Sequence, residues 1–210
     1  MKYLLTITCV LLLQLATHAQ TIPANITLHN GDLLFEDLDC GPLCDAIEQV
    51  TQSYGGHHFS HIGLVYRKGD STFIIEAIGS DVHMTPLAQF TSRTTHKIFV
   101  GRMKPAYHHL IDSAISFSLR SIGTPYDDDF LYNNGKYYCS ELIYDAFQYA
   151  NGGKPVFQLA PMTFKPLGSA DFFPVWIDYY KKLGTAIPEG KPGINPGGIS
   201  RSKYIEILNP

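Results

Sequence analysis

Past its first fifteen positions this sequence has no apolar run approaching the ~20 residues a membrane-spanning helix needs, so no stable membrane insertion is expected. It also lacks any cluster of lysine and arginine. With 16 basic against 19 acidic side chains and a net charge of −3, the chain offers no concentrated basic surface, and nucleic acid is not expected as a partner. There is no internal repeat and no low-complexity block. No CxxC pair and no HExxH marks a metal site. Cysteine is scarce, with four in 210 residues, which rules out a disulfide-stapled miniature fold.

What is present begins with an export signal. Lys2 supplies the positive start, residues 3–15 the apolar core, and Thr17-His18-Ala19 the small residues before a cut after Ala19. The expected product is a periplasmic or extracellular chain of residues 20–210, soluble and long enough for one domain with its own core. Losing residues 1–19 removes one lysine and no acid, so the net charge moves from −3 to −4. Cys9 leaves as well, and Cys40, Cys44 and Cys139 remain. One of the three must stay unpaired in a monomer. A Cys40–Cys44 bridge that leaves Cys139 free and a fully reduced set both fit the spacing.

The pattern predicts helices packed on an antiparallel sheet, an α+β domain. Residues 31–35 read as a strand, and Pro42 opens a helix with Leu43, Ala46, Ile47 and Val50 on one face. Residues 60–66 and 72–78 read as a hairpin around 67–71, with a further strand at 97–102 and a last one at 204–208. An amphipathic helix is expected over 109–122, stopped by Gly123, and another over 139–150, stopped by Asn151-Gly152. Residues 187–198, rich in Pro and Gly, read as a surface wrap. The aromatic residues of 172–180 read as core or cleft wall.

The chemistry-bearing residues lie on these elements. In a hairpin turn centred between Lys68 and Gly69, His61 falls opposite Glu76 on the same sheet face. A carboxylate on one imidazole nitrogen fixes the tautomer and leaves the other to take a proton. Glu76 stands among Phe73-Ile74-Ile75 and Ala77-Ile78, where an ionised side chain is costly without a partner. Cys139 opens a helix, where free N–H groups and the helix dipole stabilise a thiolate. A thiolate beside an imidazolium is the nucleophile of cysteine hydrolases. The other readings are an outward polar strand and an inert buried thiol.

Gly123-Thr124-Pro125-Tyr126 followed by Tyr138-Cys139-Ser140-Glu141-Leu142-Ile143 resembles the nucleophile region of NlpC-type cell-wall peptidases. In those papain-like folds the cysteine precedes the histidine. Here Gly31-Asp32 and Ser60-His61-Ile62-Gly63 come first, Glu76 next and the cysteine last, an order that resembles the circularly permuted YiiX-like and YebB-like hydrolases over residues 31–208. The resemblance implies a permuted papain-like fold, with an antiparallel sheet or small barrel against helices, and no cofactor. It implies catalytic Cys139, His61 and Glu76, with Tyr126 and Tyr138 binding substrate or supporting the oxyanion. The implied activity is a cysteine peptidase or amidase working through an acyl-enzyme on cell-wall-derived peptides or another small amide.

Rival readings are a thioester-forming acyltransferase or lipid hydrolase of the same superfamily, and a non-catalytic peptide- or amino-acid-binding module. A metal at His57, His58 and His61 is disfavoured, since adjacent residues of an extended segment point opposite ways. Asp127-Asp128-Asp129 reads as a loop rimming the cleft, with a preference for substrates bearing a free amino group.

Overall fold

Leu33–Glu36 is apolar at all but its last position, and in the computed structural model, which describes residues 22–210, it forms β1, a central strand buried along its whole length. The helix opened by Pro42 is α1, Pro42–Gln49. Cys40 and Cys44 bracket its start as a disulfide, Cα atoms 5.5 Å apart, and Cys139 is the free cysteine among the described residues. The expected export signal, residues 1–19, lies outside the described residues.

The hairpin consists of β2, His61–Lys68, and β3, Ser71–Ile78. Its register differs from the expected one. The turn is the two residues Gly69-Asp70, Lys68 pairs with Ser71 and Leu64 with Ile75, so Glu76 is not directly opposite His61. The offset is two residues, and side chains alternate with a period of two, so both stay on one face as diagonal neighbours. A slip of one residue would have separated them.

β4, Asp81–Pro86, pairs with β3 and leads into α2, Leu87–Thr91; neither stood out in the sequence. β5, Phe99–Met103, lies on the other side of β1. Beyond it is β8, Ile205–Ile207, so the sheet runs β4-β3-β2-β1-β5-β8. It is open, with β4 and β8 as edges, which settles the expectation of a sheet or small barrel in favour of the sheet. All its pairings are antiparallel.

Both faces of the sheet are covered. Leu33, Phe35, Ile62, Leu64, Ile75 and Ala77 pack with α3, Ile111–Arg120, and α4, Cys139–Ala150, whose inward residues are Leu142, Ile143, Ala146 and Phe147. The expected 109–122 helix starts later because residues Pro105–Leu110 form a tighter 3₁₀ segment first. Leu34, Val65, Ile74 and Val100 pack on the opposite face with Phe90 of α2. No helix among the described residues is long and apolar enough to cross a membrane.

A third apolar cluster joins α1 to α5, Pro174–Leu183, through Ala46, Phe164, Trp176 and Tyr180, and this is where the aromatic run settles. The segment read as a surface wrap pairs β7, Pro192–Gly193, with β6, Ala160–Pro161, and starts α6, Pro196–Ser200.

Gly63 shows how tightly the second face is filled. A Cβ there would run into Ile74 Cγ2, lie 3.1 Å from Phe90 and 3.6 Å from the Glu76 Cβ. Gly63→Ala is therefore expected to cost about 1–3 kcal/mol by overpacking. A chemical-denaturation curve superposing on that of the parent protein would show that Ile74 yields freely.

Candidate active site

The site is assembled where α4 begins against the sheet. Tyr138 is the extended residue before the helix, and Cys139 is its first residue, 6% exposed. The N–H groups of the first turn have no partner within the helix, and the positive end of the helix dipole lies at this terminus.

His61, the first residue of β2, is almost fully buried, and its Nε2–H donates to Glu76 Oε2 at 2.6 Å. With Nε2 committed, Nδ1 is the ring position left to exchange a proton with the thiol. Burial opposes protonation of His61, but hydrogen bonding and charge from Cys139 and Glu76 outweigh it and lift its pKa from 6.5 to about 10. These partners favour the protonated ring.

Glu76 is completely buried and fully partnered. Besides His61 it receives Arg93 in a bidentate pair, Nη1 to Oε2 and Nη2 to Oε1, each at 2.7 Å, and the Thr85 hydroxyl donates to Oε1. Burial alone would raise its pKa; the hydrogen bonds and positive charges of His61 and Arg93 prevail and bring it down to about 2. Arg93 and Thr85 were missed by sequence reasoning. Arg93 lies just beyond α2, an element the sequence did not announce, and nothing local ties it to position 76. The signal that existed was the buried carboxylate itself, whose charge calls for more than one donor.

Glu36 is a second acid at the site that sequence reading overlooked. It is the cross-strand partner of His61, is 0% exposed, and neither carboxyl oxygen has a hydrogen-bond partner among the described residues. Burial raises its pKa to about 8, against the attraction of His61 and Arg93. A neutral Glu36 leaves Glu76 as the negative partner shared by His61 and Arg93.

Tyr126 and Tyr138 both line the cleft that contains Cys139. The 123–126 segment runs along the edge of β4, with Gly123 N–H donating to Val82 O and Tyr126 N–H to Ser80 O. Burial, with charge from Cys139, lifts the pKa of Tyr126 well above 10, so its hydroxyl stays a proton donor. The Tyr138 hydroxyl accepts the Ile194 N–H at 3.1 Å, and the Ser140 hydroxyl donates to Ile194 O at 2.9 Å. These two bonds fasten the 192–196 wall to the start of α4.

Other motif residues serve the fold. Asp32 is bound by Arg102 through Nε and Nη2 at 2.7 Å each. Gly31, at φ 83°, has the side chain of Ile111 where a Cβ would sit. Asp127 does not rim the cleft, contrary to expectation: it is buried, and its carboxylate accepts the N–H groups of Asp129 and Leu131 and the Asn134 amide. Asp128 and Asp129 do not line the cleft either.

The neighbouring histidines diverge. His57 stacks on Phe99 at 4.3 Å between ring centroids, while His58 lies 4.0 Å from Glu48. Among the described residues no group of three or more His, Cys, Asp and Glu side chains is arranged to hold a metal.

Three comparisons bear on this geometry. The family model described as permuted papain-like amidase enzyme, YaeF/YiiX, C92 family, matches residues 27–208. The uncharacterized protein YiiX of Escherichia coli strain K12 is 27% identical over 124 residues, 58% of this chain and 58% of that protein. Among solved structures, one titled as the metalloprotein yiiX of Escherichia coli O157:H7 superposes with a TM-score of 0.69 at 20% identity, covering 86% of this chain and 96% of that one. The strand order, the helix that opens with Cys139 and the match over nearly the whole described chain lead to one conclusion: this protein belongs to the permuted papain-like amidase family, YaeF/YiiX, C92.

Proposed function

We propose that this protein, once exported, is a cysteine amidase with Cys139 as nucleophile, His61 as its acid–base partner and Glu76 as the group that aims His61. The observation that carries this reading is the convergence of a buried free thiol at a helix start, an imidazole beside it and a fully partnered carboxylate behind that imidazole. The thiolate attacks the amide carbonyl, the C–N bond breaks as the His61 imidazolium gives its proton to the leaving amine, and an acyl-enzyme thioester forms. Water, deprotonated by the now neutral His61, then cleaves the thioester and regenerates the thiolate–imidazolium pair. The first-turn N–H of Cys139 and the protonated Tyr126 hydroxyl are the donors available to the oxyanion. A small amide, cell-wall-derived peptides included, is the substrate class for this chemistry.

Iodoacetamide labelling followed by intact mass tests the nucleophile without a known substrate. A single Cys139 adduct forming readily at pH 6 is expected, absent in Cys139→Ser and slowed at least about tenfold in His61→Ala, because the thiolate loses its cation. Labelling at pH 6 that His61→Ala leaves unchanged would discard the ion pair and leave a binding module.

A further inference from the structure

The cleft at Cys139 has a volume of 540 Å³, within the ~300–1,000 Å³ of small-molecule sites. Its lining is asymmetric in two respects. Part of it is lined by the third apolar cluster, through Ile47, Phe130, Met162, Phe164 and Trp176. A polar part is made by Thr51, Gln52, Asn195 and Arg201, brought together where α6 packs on the chain after α1: Gly197 lies against Thr51 and Gln52, and Arg201 Nη1 donates to Gln52 Oε1 at 3.1 Å. Cys139 belongs to the same cavity.

Charge is the second asymmetry. The lining contains Lys165 and Arg201 and no aspartate or glutamate, although acids outnumber bases in the chain as a whole. Neither cation makes an ion pair with a carboxylate among the described residues. A substrate ammonium would find no counter-charge here, whereas a carboxylate meets the guanidinium of Arg201, an exposed residue whose side-chain hydrogen bond among the described residues is the one to Gln52.

We propose that the substrate is an N-acyl amino acid: an apolar acyl group on the floor made by Ile47, Phe130, Met162, Phe164 and Trp176, the amide carbonyl at Cys139, and the carboxylate of the leaving amino acid at Arg201. The inference rests on the amidase reading and narrows its substrate. The balance is that of amide hydrolysis: the acyl carbon passes from nitrogen to Cys139 Sγ, the amino acid leaves with the His61 proton, and water releases the acyl group as a carboxylic acid. The acid-free lining separates this class from peptides presenting a free side-chain ammonium, for which the cleft has no partner.

The experiment pairs binding with turnover. Calorimetry on full-length mature Cys139→Ala measures affinity for N-octanoylglycine, N-octanoylglycinamide, N-acetylglycine and N-octanoylethylenediamine, and the unaltered enzyme is assayed for release of the amine from each. N-octanoylglycine is expected to bind at least about tenfold more tightly than each of the others, an increment that one charge-assisted pair or a buried chain supplies, and to be the best substrate. Arg201→Gln, at an exposed position, is expected to erase its advantage over the glycinamide. Equal or tighter binding of the ammonium compound or the acetyl compound overturns the proposal and leaves the amidase reading intact. Selective binding of N-octanoylglycine with no turnover of any amide keeps the ligand class and overturns the amidase reading.

Discussion

Glu76→Gln is expected to lower kcat/KM on the cleaved amide by about 10³–10⁴-fold, the loss seen when a carboxylate behind a catalytic imidazole becomes an amide. Two consequences of one substitution add up. The His61 imidazolium loses the negative charge that, with Cys139, lifts its pKa to about 10, so the protonated ring that must supply the leaving amine is depleted. The amide also brings an NH2 group to a position where every present partner, His61 Nε2, both Arg93 nitrogens and the Thr85 hydroxyl, is a donor. One of them must turn away, and the ring orientation becomes uncertain by the same event. Arg93 is left as a half-buried cation without its anion, and removing one member of a buried pair costs about 3–5 kcal/mol. Activity and denaturant midpoint should therefore fall together in Glu76→Gln, while Thr85→Val, which removes one of several donors, should spare most of the activity. A folded Glu76→Gln protein with unaltered kcat/KM would remove Glu76 from the mechanism.

The dependence of stability on pH is the second large effect, and Glu36 is one of its main sources. Its pKa rises from 4.5 in the unfolded chain to about 8 in the native state, so between these values the native protein holds a proton the unfolded chain has released. Stability then falls as pH rises from 4.5 to 8, by up to about 5 kcal/mol for a single buried carboxyl. Glu141, equally buried, is raised to about 8 by burial and acts in the same direction. His61 has its folded pKa raised from 6.5 to about 10, so its contribution is complete below 6.5 and is lost as pH climbs through 10. Glu76, lowered from 4.5 to about 2, contributes above 4.5 and loses that contribution as pH falls through 2. The four groups together place the stability maximum near pH 4.5, where Glu76 has gained its full contribution and Glu36 and Glu141 have not yet begun to lose theirs. Glu36→Gln, nearly equal in shape and unable to ionise, should match the parent protein at pH 4.5 and exceed it by several kcal/mol at pH 8. Urea unfolding at the two pH values measures this directly. A variant less stable than the parent at pH 8 would mean that the Glu36 carboxylate is ionised and paired in the native state.

Much of the architecture could be read from periodicity. The 139–150 helix fell at its observed bounds because Cys139, Leu142, Ile143, Ala146 and Phe147 repeat at helical spacing and Asn151-Gly152 ends them. The strands of 61–68 and 71–78 were readable from their apolar, β-branched runs and a turn-forming Gly-Asp between them. Short edge elements were not. β4 and α2 bury only Val82, Thr85 and Phe90, too few residues to establish a period.

Which residue types were set aside for chemistry is written in the chain order alone: one thiol at a helix start, one histidine and one glutamate in apolar strands, in an order that already resembled the permuted family. The same order puts His61 and Glu76 on one sheet face, since an offset of two residues cannot change the side on which a strand's side chains emerge. Their surroundings come from packing between distant elements. The sheet brings Glu36 beside His61 across β1 and β2, and the loop after α2 carries Arg93 to Glu76 from 17 positions away. Residues from α1, from 158–167 and from 193–201 close one cleft over Cys139, with an apolar floor, two cations and no acid. Local periodicity fixes the direction in which a side chain leaves its own element, but which side chains from distant elements meet is set by how those elements pack, and that information is not local to any stretch of the chain.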